Sequence, residues 1–290
     1  MNDSGHLLDV KDLTVSFPSP RGEVCAVKNV SFSLGHEKIG IVGESGSGKS
    51  VTGRAILRLL PPYAHIHATA ITFQEKDLLS FSEQEMRRIR GRQISMVMQD
   101  PKYSLNPVRT VGEQIREAYT IHRKVPRRQA RQQTLEMLTA VRIRNPEQVY
   151  RLYPHEVSGG MGQRIMIAMM LIPEPSLLIA DEPTSALDVT VQLQVLAILD
   201  DLVTQRGMGL IFISHDLELV ASFCDRIIIM YGGRIMEVVD AANLHQSTHP
   251  YTRGLLNCLP RIDGDKGKLS TLQRDASWLD ADFSATAGGK

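Results

Sequence analysis

The sequence predicts an α/β protein with a small antiparallel sheet on its N-terminal side, and three observations carry that reading. Residues 177–180 and 210–214 are apolar runs without alternation, separated by a helical pattern over about 190–205. Unbroken apolar strands spaced by helices belong to a parallel sheet covered on both faces. Residues 38–42 form a further short apolar strand that runs straight into a glycine-rich loop and then a helical pattern. By contrast, residues 7–17 and 24–34 alternate apolar and polar positions about a turn from Pro18 to Gly22, the pattern of two antiparallel strands with one solvated face.

The remaining elements follow in order. The helix after the glycine-rich loop is expected over 49–60, stopped by Pro61 and Pro62. A strand follows over 94–98, then a region richer in helical pattern, Arg and Gln over about 100–172. Within it, residues 126–141 form an amphipathic helix with Arg127, Arg128 and Arg131 on its outer face, read as a solvated surface in preference to a nucleic-acid contact. A helix with apolar positions at Met161, Ile165, Ala168, Met169 and Ile172 is ended by Pro173, and strands over 226–230 and 234–238 flank Gly232 and Gly233.

Composition narrows the function. The 290 residues are 42% hydrophobic and 22% charged, one large domain or two small ones at ~100–200 residues each. Thirty-three Lys and Arg against 32 Asp and Glu leave a net charge of +1, so no global field draws in nucleic acid or anionic lipid. Three scattered cysteines, Cys25, Cys224 and Cys258, exclude a disulfide scaffold and a cysteine-built zinc site and suit a reducing compartment. The most apolar run, residues 165–172, falls far short of the ~20 residues of a membrane span, and the polar stretch from Met1 to His6 lacks the build of a signal peptide. Any membrane role is expected to be borrowed from a partner.

Three motifs carry chemistry. Gly43, Glu44, Ser45, Gly46, Ser47, Gly48, Lys49 and Ser50 fit G-x-x-x-x-G-K-[ST] in the strand–loop–helix setting that gives the pattern its meaning. Successive backbone N–H groups of such a loop point at phosphate oxygens, and the helix beginning near Lys49, with Val51 in its first turn, adds its positive end. Lys49 is the candidate for the β- and γ-phosphates and the Ser50 hydroxyl for Mg²⁺. The strand over 177–180 ends in Asp181 and Glu182. Ligands of an open α/β sheet bind beyond the carboxyl ends of its strands, so both loops are expected to converge on one crevice. Asp181 is placed to hold Mg²⁺ and Glu182 to orient or deprotonate an attacking water. Ser158 is a candidate N-cap, with Gly159 and Gly160 leaving the first helical N–H groups uncovered: a second anion site.

With Ser158-Gly159-Gly160 set between the phosphate loop and the Asp-Glu strand, the sequence resembles the ATP-binding cassette (ABC) ATPases over approximately residues 7–260. The resemblance implies a RecA-like P-loop NTPase core, an antiparallel β subdomain and a helical signature subdomain (about 100–172) within a domain spanning 7–240. A C-terminal extension typical of peptide importers then covers 241–290, its tail expected to be mobile. ATP and Mg²⁺ are the implied ligands, and the signature of one subunit closes over nucleotide held by the phosphate loop of another. Gln99 resembles the family's Q-loop glutamine, which touches Mg²⁺ or water and senses the membrane partner. Ser185, Ala186, Leu187 and Asp188 resemble the D-loop at the dimer seam. His215, between Ser214 and Asp216, resembles the switch histidine at the γ-phosphate. Phe17 stands as the adenine-stacking aromatic or, equally, as a strand core residue.

Residues 42–50, 99–107 and 249–256 resemble the oligopeptide/dipeptide/nickel importer branch. That likeness implies a second ABC ATPase subunit (a paralogue or a copy), two membrane permease subunits and an external solute-binding protein. No nucleic acid is expected, and the place is peripheral, on the cytoplasmic face of the inner membrane. The segment over 100–107 is expected beside a groove that receives a short helix of the membrane subunit. Met161-Gly162 departs from the branch pattern, removing a cation and helix preference, and the isolated Cys258 predicts no iron–sulfur site. Two other classes of function remain in view. A soluble ABC ATPase of DNA repair or translation would carry a second cassette or a long coiled coil. A regulatory module without turnover is disfavoured by Glu182 and His215.

Overall fold

The N-terminal alternation folds as its pattern dictates. In the computed structural model, which describes residues 5–99, 104–185, 187–258, 275 and 278, β1 (Leu8–Ser19) and β2 (Gly22–Leu34) pair antiparallel from Leu8 opposite Leu34 to Ser19 opposite Gly22. Leu8, Val10, Leu13 and Val15 are buried while Lys11 and Asp12 face solvent. The chain divides into two units, residues 1–79 with 212–290, and residues 80–211.

The first unit continues with β3 (Lys38–Val42), four of whose five residues are buried, and α1 (Lys49–Ile56). Then come β4 (His65–His67), β5 (Ala70–Phe73) and β6 (Lys76–Asp77). β1 is the centre of the antiparallel sheet, flanked by β2 and β5, with β6 on β5 and β4 also on β1. α1 ends at Ile56, short of the expected Leu60. Arg58 turns left-handed (φ 51°), and the Leu59 and Arg58 N–H groups return to the Arg54 and Ala55 carbonyls, both at 2.9 Å. This closure satisfies the last carbonyls before Pro61 is reached.

The second unit holds α2 (Glu83–Ile89), β7 (Ile94–Val97), α3 (Val111–Thr120), α4 (Arg127–Ala140), α5 (Pro146–Val149), α6 (Gly159–Leu171), β8 (Leu177–Asp181) and α7 (Val189–Gln205). β9 (Gly209–Ser214) carries the chain back towards the first unit. β7 and β8 run parallel, Ile94 opposite Leu177 and Val97 opposite Ala180, and both are buried throughout. Reciprocal caps start the helices: Ser82 with Glu85 for α2, Thr110 with Glu113 for α3. Of the basic face on α4, Arg127 and Arg128 are exposed as expected. Arg131 instead pairs with Glu147 and lies over the Tyr150 ring.

The first unit resumes with α8 (Leu217–Phe223), β10 (Arg226–Tyr231), β11 (Arg234–Asp240) and α9 (Pro250–Asn257). β10 pairs parallel with β3, Arg226 opposite Ile39 and Ile229 opposite Val42, and antiparallel with β11 across the Gly232-Gly233 turn. The strand that feeds the glycine-rich loop is thereby fixed from its neighbour, and α8 packs on its face.

Candidate functional site

In the first unit, β3 delivers the chain into a loop that only glycine can make. Gly43 has φ +154° and a Cβ there would stand 2.1 Å from the Met230 carbonyl oxygen; Gly48 has φ +96° and its Cβ would stand 2.5 Å from the Ala26 oxygen. The loop is thus pressed against the backbones of β2 and β10. Lys49 is 5% exposed. Its Nζ donates to the carbonyl oxygens of Gly43 and Glu44, both at 2.8 Å, and to Ser47 Oγ at 3.4 Å. The loop's own carbonyls therefore satisfy the buried ammonium and fix its position, offsetting the cost of burying the charge. Gly48 is the N-cap of α1 and no side chain caps the first turn, so Lys49, Ser50 and Val51 lie at the positive end of the helix, where an anion is favoured. Ser45 and Gly46 are exposed at the loop's tip.

Two further candidates belong to this unit. Phe17 sits opposite Val24 near the end of β1, half-buried, with Tyr63 edge-on at 6.4 Å. His215 follows β9 and is exposed, while its neighbours hold the backbone. Ser214 Oγ accepts from the Asp216 N–H, and Asp216 caps α8 by accepting from the Leu219 N–H, both at 3.0 Å.

In the second unit, β8 ends on Asp181, 2% exposed. Glu182 takes a left-handed backbone (φ 47°), a strained conformation for a residue with a Cβ that costs on the order of 1 kcal/mol. Gln99, two residues beyond the end of the parallel neighbour β7, donates from Nε2 to Glu182 Oε2 at 3.2 Å. Two strand ends thus present a glutamine and a carboxylate already joined. Ser185 Oγ donates to the Glu182 carbonyl at 3.2 Å, the Leu187 N–H to the Thr184 carbonyl at 3.1 Å, and Asp188 caps α7 by accepting from the Val191 N–H at 3.0 Å. Ala186 and residues 100–103 lie outside the described residues, as does most of the tail.

The signature turn belongs to the same unit. Ser158 is extended and caps α6 as expected, its Oγ accepting from the Met161 N–H at 3.4 Å. Ser158 and Gly159 are exposed, and a Cβ on Gly160 would meet Val191 Cγ1 of α7 at 2.6 Å. A groove of about 320 Å³ flanks the turn, lined by Leu105, Pro107, Pro154, Val157, Ser158 and Gly162 among others. The donors expected to take Mg²⁺ have the right chemistry: the Ser50 hydroxyl, the buried Asp181 carboxylate, and Gln99, whose amide oxygen is the atom left to a cation once its nitrogen is engaged by Glu182.

Residues 27–185, more than half of the chain, match the family described as ABC transporter. The chain belongs to that family. It is therefore an ATP-binding, ATP-hydrolysing transporter subunit, and among its described residues no helix is long and apolar enough to cross a membrane. Residues 236–284 match a second family, the oligopeptide/dipeptide transporter C-terminal region. The cassette is 46% identical over 268 residues to the oligopeptide transport ATP-binding protein OppD of Escherichia coli (strain K12), spanning 92% of this chain and 79% of that one. It is 47% identical over 269 residues to the dipeptide transport ATP-binding protein DppD of Bacillus subtilis (strain 168), spanning 92% and 80%. Among solved structures, the dimeric post-hydrolysis cassette MJ0796 bound to ADP and Pi matches with a TM-score of 0.73 at 25% identity, covering 81% of this chain and 98% of that one.

Sequence reasoning missed three features of the site. Nothing local signals the left-handed Glu182 or its bond to Gln99, which link residues 83 positions apart. The third is the Tyr251 hydroxyl, which accepts a hydrogen bond from the Glu44 N–H of the phosphate loop at 3.3 Å.

Proposed function

We propose that this cassette drives the uptake of peptides or similar small solutes by ATP-dependent closure of two ATPase subunits. One observation carries the reading: a phosphate loop of the ABC transporter family stands on the same chain as a C-terminal region matching oligopeptide/dipeptide transporters. Lys49 and backbone amides of the loop from Gly43 to Val51 other than that of Glu44, which is held by Tyr251, bind the phosphates, and Phe17 stacks on the adenine. Ser50, Asp181 and Gln99 would hold Mg²⁺, which neutralises charge on the phosphate oxygens when bound. Glu182, its carboxylate steadied by Gln99, orients and deprotonates the attacking water, and His215 stabilises the γ-phosphate. Ser158, Gly159 and Gly160, with Ser185, Ala186, Leu187 and Asp188, close over nucleotide held by the second ATPase subunit, a paralogue or a copy.

Two permease subunits and an external solute-binding protein complete the system, with the cassette peripheral on the cytoplasmic face of the inner membrane and the groove beside Leu105 and Pro107 taking a short permease helix. The test is ATP turnover by the complete transporter in proteoliposomes. Peptide-loaded binding protein should stimulate hydrolysis several-fold while a nickel-loaded or empty one leaves it at the basal rate. Stimulation by nickel and not by peptide would overturn the choice of solute, and stimulation by DNA in the absence of permeases would overturn the transport reading.

A further inference from the structure

The C-terminal segment reaches the phosphate loop directly. His249 caps α9, its Nδ1 accepting from the Tyr251 N–H at 3.1 Å, and Pro250 occupies the first helical position, where a missing N–H costs nothing. β11 holds the entry to this helix. Glu237 Oε1 accepts from the Thr248 N–H at 3.0 Å and the His249 N–H at 3.4 Å. Tyr251 is fully buried, with its ring 4.7 Å from Tyr231 and 5.7 Å from Trp278. Packing on Tyr231, the last residue of β10, sets it one residue from Met230, whose carbonyl oxygen bears on Gly43. From that position the hydroxyl accepts the Glu44 N–H at 3.3 Å. The carbonyl of Glu44 accepts from Lys49 Nζ. Both peptide groups of Glu44 are therefore tied down, one to the cation of the loop and one to a residue 207 positions away in sequence.

We propose that Tyr251 is a positioning residue for nucleotide binding: its hydroxyl holds the Glu44 peptide and so sets the curl of the phosphate loop from the C-terminal extension. The His249-Pro250-Tyr251 turn is the bracket that aims it, His249 and Pro250 fixing the start of α9 and the tilted and edge-on contacts with Tyr231 and Trp278 fixing the ring. This rests on the phosphate-loop reading, and its consequence is that a segment outside the catalytic motifs tunes affinity for ATP and leaves the chemical step alone. A hydrogen bond of this kind changes an equilibrium by about 2- to 10-fold.

The test compares wild type with Tyr251→Phe, which keeps the ring and its packing, in the full-length chain. Amide hydrogen exchange without nucleotide should speed up at Glu44 and leave the Lys28 N–H, bonded to the Gly233 carbonyl at 2.8 Å, unaltered. The KM for ATP in the presence of Mg²⁺ should rise by about 2- to 10-fold with kcat within 2-fold. Unaltered exchange at Glu44, equal acceleration at Glu44 and Lys28, or faster exchange at Glu44 with an unchanged KM would each overturn the proposal. A wild-type chain that binds no ATP refutes the reading of the loop itself, a failure visible before any variant is compared.

Discussion

The phosphate loop lies under its neighbours, with Gly43 against the Met230 carbonyl, Gly48 against the Ala26 carbonyl, Lys49 buried and Glu44 held by Tyr251. The signature turn has Ser158 and Gly159 exposed, and a Cβ added to Gly159 would meet nothing within 4 Å. Both are helix N-termini suited to an anion. The fold imposes the shape of the first, while the second presents Ser158 and Gly159 to solvent. Under the proposed function the same chemical device plays two parts, capture in the first unit and closure in the second.

The comparison breaks first at Lys49. Lys49→Ala removes the one cation the loop has organised, and ATP affinity by equilibrium titration should fall by at least about 100-fold, the scale of two charge-assisted contacts. Binding within a factor of two of wild type would mean that the loop is a turn without a ligand.

The glycines sharpen the contrast. Gly48→Ala forces a left-handed side chain into the Ala26 carbonyl, and should lower stability by about 1–3 kcal/mol in chemical denaturation and weaken ATP binding with it. Gly159→Ala, in open space at the start of α6, should leave stability within about 0.5 kcal/mol and single-chain ATP affinity unchanged. Its cost should fall on turnover by the assembled transporter, lowered by about 10-fold. Equal effects of the two substitutions on single-chain ATP binding would erase the distinction between capture and closure.

The smallest effect concerns the bracket behind the loop. Burial lowers the His249 pKa from its usual value, opposed by the nearby Glu237 charge, so the fold prefers the neutral ring and the unfolded chain takes up the proton first. Stability contributed by His249 is present above pH ~6.5 and is lost as the pH falls through its lowered value. The melting temperature should drop on acidification through this window, and His249→Asn, which keeps a capping side chain, should reduce that slope. An identical slope in the variant would show that the ring carries none of it.

Much of this was legible in the sequence, for a local reason. β1, β2 and β3, the phosphate loop and the Ser158 cap all arise from alternation, apolar runs, or residues whose backbone demands are met within a few positions. What stayed hidden depends on tertiary contact or on exceptions to backbone preference. α1 stops early because Arg58, with no glycine to announce it, takes a left-handed turn. Arg131 reads as part of a solvated basic face until Glu147 and Tyr150 come to meet it. Gln99 and Glu182 meet only because β7 and β8 run side by side. Tyr251 looks like an ordinary apolar helix position, and only the packing of β10 turns its hydroxyl towards Glu44.

The central claim is that a captured ATP is cleaved by a carboxylate placed at the end of β8, and Glu182→Gln in the complete transporter addresses it most directly. The substitution keeps the size of the side chain and a hydrogen-bonding partner for Gln99 while removing the base. Steady-state hydrolysis should fall by about 10²- to 10⁴-fold with ATP affinity kept within a few-fold of wild type. Hydrolysis at a near-wild-type rate, with ATP bound as before, would contradict the account.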